Sequence, residues 1–192
     1  MTLRQWVFQD WSANAGYPDS RLILLAYRFT QWARGRWGLP GQLVFAVYWV
    51  IVARMIGVEI SPSTQIGPGL RMPHPHGIVL NPAVRIGARC LLRQNVTIGN
   101  TTRRDGSEIG VASVGDDVEL GAGCVVVGRL HVGDHARIAA LSLVTRDVPA
   151  WAVMMGNPAR LVRIDQPEGG AAAGPPLTGD PETAVGVPER LA

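Results

Sequence analysis

The 192-residue chain contains no lysine: all 18 of its basic residues are arginine. Charge is sparse, at 17% of residues, and the net charge is only +3. A nucleic-acid binder would cluster its cations. Here they are scattered, apart from Arg103–Arg104, a pair that could instead meet an anionic ligand such as a nucleotide phosphate. Cysteine is scarce too. Two thiols, Cys90 and Cys124, cannot build a disulfide framework. No basic segment followed by a short apolar one opens the chain, so no secretory leader is read from MTLRQWVFQDWS. These absences lead us to expect a cytoplasmic protein with no nucleic-acid partner.

What the chain has in quantity is aliphatic side chains, within a hydrophobic share of 47%. They fall on a six-residue beat: Ile60, Ile66, Met72, Leu80, Ile86, Leu92 and Ile98, then Val114, Leu120, Val126, Val132, Ile138 and Val144. Gly often follows the beat, as at Gly67, Gly87, Gly99, Gly115, Gly121 and Gly133, and the fifth residue of each unit is small or aliphatic. A period of six fits neither an α-helix nor a long strand. It fits a chain that runs straight, turns a corner and repeats, three units making one triangular coil. Glycine would allow tight packing or an unusual backbone angle at the corner. Each coil is too small to bury its own core, so stability must come from stacking. Cys90 and Cys124 occupy the inward fifth slot and read as small buried hydrophobes rather than nucleophiles.

Around this solenoid we expect three regions: a helical segment over 1–57, the β-helix over 58–165 and a disordered tail over 166–192. In the first, helices are read over Leu3–Asn14, from Asp19 or Ser20 to about Arg36, and over Gln42–Met55. Leu22, Leu25, Ala26 and Phe29 give the second an apolar stripe. Gly38-Leu39-Pro40-Gly41 reads as a turn. The third helix is apolar nearly all round. Its continuous apolar run is shorter than the ~20 residues that a membrane span needs. It is therefore expected either to pack inside the protein or to lie on a membrane surface, with Trp37 and Trp49 at the interface and Arg28, Arg34 and Arg36 near lipid phosphates.

The beat breaks twice. Two extra residues enter at about Ile78–Val79, and residues 100–113 leave it entirely as a polar loop. The first irregular coil carries Pro73-His74-Pro75-His76. A stiffly held histidine titrates near neutrality and can take a proton from an alcohol attacking a thioester. A carboxylate on its other ring nitrogen would raise its basicity, and Glu59 is one coil away. A metal site would need three or four ligands, which this stretch does not supply. His131 and His135 fall on a regular coil and read as surface residues.

Val58–Val79, followed by Val96-Thr97-Ile98-Gly99, resembles the serine O-acetyltransferase-like hexapeptide-repeat acyltransferases, a group that includes the exopolysaccharide (colanic-acid type) acetyltransferases. The resemblance implies an all-β left-handed parallel β-helix behind the N-terminal α-helical segment, a homotrimer, and acetyl-CoA as co-substrate with no metal. It implies His74 as general base and Glu59 as the carboxylate that orients it. Gly156-Asn157-Pro158-Ala159-Arg160 matches the group's coenzyme-A-associated run. Ala122 and Ala140 fall in the turns whose backbone lines the pantetheine groove, although Ile138-Ala139-Ala140-Leu141 has lost both glycines of its turn. A backbone N–H near Gly99–Asn100 is the candidate oxyanion donor.

Two departures bear on the acceptor. Serine acetyltransferases carry an Asp immediately before the catalytic His, where this chain has Pro73. Their Arg-His-Pro run after the long loop aligns with the uncharged Gly110-Val111-Ala112. Without a cation, a serine carboxylate loses a charge-assisted pair worth roughly 1.5–3 kcal/mol. The expected acceptor is therefore a sugar hydroxyl, free or lipid-linked, in exopolysaccharide assembly. L-serine for cysteine synthesis is the alternative, with a return of charge through Arg103 and Arg104. A non-catalytic β-helix acting as a scaffold or membrane-associated assembly partner is the third reading.

Overall fold

The beat becomes three parallel faces. The computed structural model describes residues 2–104 and 106–165; the tail over 166–192 lies outside them. One face stacks Glu59–Ile60, Val79–Leu80, Thr97–Thr102, Val125–Val127 and Leu143–Val144. A second stacks Gln65–Ile66, Arg85–Ile86, Ser113–Val114 and His131–Val132. The third stacks Leu91–Leu92, Glu119–Leu120, Arg137–Ile138 and Ala152–Met155, with Arg160–Ile164 antiparallel at its end. The chain visits the faces in turn, as a parallel β-helix does. Every pair within a face that belongs to the coil is parallel and in register, so that Ile60, Leu80, Ile98, Val126 and Val144 form one inward column.

All thirteen residues of the beat are buried. Each stabilises the stack by about 1.5–3 kcal/mol through removal of its side chain from water. The glycines after the beat serve close packing. A Cβ at Gly67 would stand 2.6 Å from the backbone of Ala88, and one at Gly121 would stand 2.6 Å from Ala140. The left-handed corner falls two residues later instead, and Arg89, Asn95, Asp117, His135, Leu141 and Trp151 adopt it with φ of 56–64°. Residues 100–113, read as a loop, fold partly as an antiparallel ribbon: Glu108–Val111 returns along Thr97–Thr102, with Asn100 opposite Val111.

The helical segment departs from expectation. Helix α1 covers only Leu3–Val7, and residues 8–16 form successive turns. Helix α2 is Pro18–Arg36, begun by Pro18 rather than capped by Asp19 or Ser20. Helix α3 is Leu39–Tyr48, starting inside the stretch read as a turn, and it continues as a π-helical segment, Trp49–Ile56. Gly57, at φ 79°, ends it and feeds the first strand. The buried face of α2 is not the Leu22–Phe29 stripe: Leu22 is 62% exposed, while Ser20, Ile23, Leu24, Tyr27, Arg28 and Thr30 are buried.

The reason is the open end of the β-helix. The first coil has no coil beneath it, and its backbone groups need partners. Side chains from residues 10–48 supply them. Asp10 Oδ1 accepts from the N–H groups of Gly69 and Leu70 at 2.8 and 3.0 Å. Asn14 Nδ2 donates to the Leu70 carbonyl at 2.7 Å, and its Oδ1 accepts from Met72 N–H at 3.0 Å. Ser20 donates to the Met72 carbonyl. Tyr27 and Tyr48 donate to the carbonyls of Thr64 and Ile60 at 2.6 and 2.7 Å. Arg28 donates to the carbonyls of Ile66 and Gly67, each at 2.8 Å, and pairs with Asp10 at 2.8 Å. Arg28, expected near lipid phosphates, is instead buried in this network.

Candidate active site

The corner between the third and first faces collects most of the predicted site. Backbone hydrogen bonds stack this edge coil by coil. Asn95 N–H donates to the His76 carbonyl, Gly123 to Gln94, and Leu141 to Ala122, at 2.8, 2.9 and 2.9 Å. Above them, Leu143 N–H donates to the Gly156 carbonyl at 3.0 Å, and Ala159 N–H donates to the Leu143 carbonyl at 2.7 Å. The His74–His76 turn, Ala122, Ala140 and the Gly156–Arg160 run thus share one edge of the prism. With coils about 4.8 Å apart, the His74 coil lies three steps, roughly 14 Å, from the Ala140 coil.

Local sequence builds this turn. The two extra residues before Leu80 lengthen the corner, and Ile78 enters the core at 0% exposure. His76 N–H donates to the His74 carbonyl at 2.8 Å, and Gly77 N–H donates to the Gly57 carbonyl at 2.9 Å. Gly77 is left-handed at φ 65°, and a Cβ there would lie 2.1 Å from Asn95 Oδ1. His74 and His76 are exposed, each directly after a buried proline, Pro73 and Pro75. The turn is fixed while the ring faces solvent, as a base for an external alcohol requires.

Glu59 does not join His74. It is half-buried in its strand beside Val79, and neither an ion pair nor a hydrogen bond links the two side chains. The expected orienting contact is thus absent from the structure: Glu59 is held in a strand of the first face, whereas His74 sits in the corner turn. Its ring instead meets Tyr17, edge to face, with centroids 6.1 Å apart. Tyr17 belongs to no sequence motif. Its role is invisible locally because the contact spans 57 positions. Gly99 and Asn100 lie elsewhere again, at the far side of the first face, where Gly99 pairs with Val127 and the ribbon departs.

Other candidates fall away. Burial pushes the Cys90 and Cys124 thiols up to about 11 and about 12, so neither supplies a thiolate at neutral pH. His131 is exposed and bonded to Ser113 at 3.0 Å. His135 is half-buried and stacks on Trp151 with centroids 3.9 Å apart. Among the described residues, no three His, Cys, Asp or Glu side chains converge as metal ligands would.

A triangular coil with this beat, and a histidine turn on the edge that carries a Gly-Asn-Pro-Ala-Arg run, defines the class of hexapeptide-repeat acyltransferases. Comparison with known proteins narrows it. The chain is 34% identical over 143 residues to serine acetyltransferase 4 of Arabidopsis thaliana, a match covering 73% of this chain and 38% of that protein. The soybean serine acetyltransferase apoenzyme superposes with a TM-score of 0.70 at 27% identity, over 83% of this chain and 69% of that one. A serine acetyltransferase complex with CoA gives 0.65 at 29% identity, over 76% and 57%. No family model matches the chain. The chain's homologues are serine acetyltransferases, and its hexapeptide-repeat, serine-acetyltransferase-like character rests on both comparisons. It spans under half the length of the first curated relatives.

Proposed function

We propose that the chain is an acetyl-CoA-dependent O-acetyltransferase with L-serine as acceptor, working on a left-handed coil in a homotrimer. One observation supports this most: His74 shares an edge with Ala122, Ala140 and Gly156–Arg160. The pantetheine arm would lie along that edge and bring the thioester to the histidine. His74 takes the hydroxyl proton as the serine oxygen attacks the thioester carbonyl. The C–O bond forms, the tetrahedral intermediate collapses with loss of the C–S bond, and the imidazolium returns its proton to the leaving thiolate. A backbone N–H at Gly99–Asn100 would hold the oxyanion. Within one chain that segment lies across the first face from His74, and a threefold assembly would set one subunit's edge against its neighbour's face. Glu59 would orient His74 only after a rearrangement that brings its carboxylate to the ring. A cytoplasmic location fits the acetyl-CoA supply.

Serine leads because the curated relatives carry that name. The exopolysaccharide acceptor expected from the departures has no relative among these behind it. A neutral sugar hydroxyl stays as the second reading on one observation: Pro73 and Gly110-Val111-Ala112 leave no charge where an amino acid would be held. Arg103 and Arg104, at the turn of the ribbon, are the cations that serine would recruit. Thiol release from acetyl-CoA, measured with L-serine against nucleotide- and lipid-linked sugars, decides the matter. Turnover on serine, weakened when Arg103 and Arg104 become Gln, supports the first reading. Turnover on a sugar alone supports the second. No turnover on any hydroxyl acceptor would sink both and leave the scaffold.

A further inference from the structure

The helical cap carries an apolar face that nothing among the described residues covers. Leu39, Leu43, Val47, Val50, Ile51 and Met55 recur every three or four residues along one side of α3 and its π-helical continuation, and they are 46–83% exposed. Ala46, Val47, Val50 and Ile51 line a shallow trough of about 290 Å³ there. A monomer rarely leaves so long a stripe bare. We propose that this face docks on the surface of an anionic phospholipid bilayer, with Leu39–Ile56 lying in the interface plane.

Charge selects this occupant. Between Asp19 and Glu59 the chain has no acidic residue, while Arg34, Arg36 and Arg54 are exposed on the same stretch. Residues 1–57 hold six arginines and two aspartates; the rest of the chain holds twelve arginines and thirteen carboxylates. The net positive charge thus lies in the region that bears the apolar face, the pairing that anionic lipid recognises. The junction of α2 and α3 adds an aromatic tip. Trp37 packs on Trp32 and Phe29, with the Arg36 guanidinium over Trp32 and that of Arg34 over Phe45. Tryptophan with arginine is the composition of a bilayer interface.

The helix lies on the membrane rather than crossing it. At 18 residues, Leu39–Ile56 is long and apolar enough to cross by length and composition, although its sequence reads as too short. Its other side is committed to the protein: Tyr48 donates to the Ile60 carbonyl, and Val52 joins the core. A second copy is a poorer partner, because symmetric pairing would oppose the arginines across the seam. Residues 166–192 offer only Leu177, Val185, Val187 and Leu191 as large apolar groups, too few to cover the stripe.

The test is co-sedimentation of the full chain with phosphatidylcholine vesicles, with and without one-third phosphatidylglycerol. Binding is expected to the anionic vesicles, to fall about tenfold in Leu43→Glu/Val50→Glu, and to weaken in high salt. Arg34→Gln/Arg36→Gln leaves the apolar face and the core intact, so it tests the charge even if the first variant misfolds. It should remove the preference for phosphatidylglycerol. A chain that stays in the supernatant with both vesicles, or binds equally after either pair of substitutions, overturns the proposal. So does concentration-dependent self-association abolished by Leu43→Glu/Val50→Glu without vesicle binding, which would make a second copy the occupant. Vesicle binding that appears only after removal of residues 166–192 would make the tail the occupant and also overturns it. None of these outcomes depends on the acceptor.

Discussion

The coil and its cap bury their residues by opposite rules. Inside the coil the buried positions are aliphatic and repeat, because the strand backbones pair with the coils above and below. At the cap, Asp10, Asn14, Ser20 and Arg28 are buried as deeply as Leu120 or Ile138. Their side chains stand in for the missing coil. Where a repeat stops, hydrogen bonding rather than apolar area decides which residues go inside. The buried polar face of α2 follows from this, and so does the exposure of Leu22.

The largest effect is expected where the two regions meet. His74→Ala should lower turnover by about 10²–10⁴-fold, the contribution of a general base, while the melting temperature stays within error. Unchanged turnover would remove His74 from the chemistry. Next comes the cap. Arg28→Ala leaves Asp10 buried without its cation and strips two carbonyls of donors. Loss of one partner from a buried pair costs about 3–5 kcal/mol, so denaturant unfolding should shift by that much. A shift under 1 kcal/mol would mean that water replaces the network.

Leu120→Ala sharpens the comparison from the other side. A mid-stack cavity should cost about 2–5 kcal/mol, at the lower end if the coils above and below close on it. Calorimetry would then show whether cap and coil unfold in one transition, as their shared hydrogen bonds predict. Tyr17→Leu should have a smaller effect, about 0.5–1.5 kcal/mol in kcat/KM, appearing in kcat if the ring only steadies His74. Smallest is a corner ion pair. Arg89 holds the Asp117 carboxyl below its ordinary value, chiefly by a hydrogen bond and then by its charge. A depressed carboxyl stabilises the fold above the ordinary carboxylate range and loses that contribution as pH falls through its folded value. Arg89→Gln should lower the neutral plateau slightly and so flatten the acid limb of a stability–pH curve, leaving stability unchanged below the folded carboxyl value.

The interior of the coil was legible in advance because its rule is local. Each inward position needs only a large aliphatic residue, and a Gly beside it where a Cβ would stand about 2.6 Å from the neighbouring backbone. The beat therefore names its own core, down to both cysteines. His74 was legible for the same reason, since an irregularity stands out against a strict period. The ribbon over 97–111 was not, because its polar residues satisfy loop and strand alike.

Sequence alone determined the repeat, the inward residues, the two interruptions and the histidine turn, since stacking identical coils leaves one solution for a six-residue beat. Only the tertiary structure decided what closes the end of that stack and what stands beside His74. Asp10 and Asn14 reach Gly69–Met72 across about 60 positions, Tyr17 reaches His74 across 57, and Glu59 stays apart although it is only 15 positions away. Such contacts carry no period. They depend on how the helices dock against one open edge, and that is set by the backbone groups which the first coil leaves unpaired.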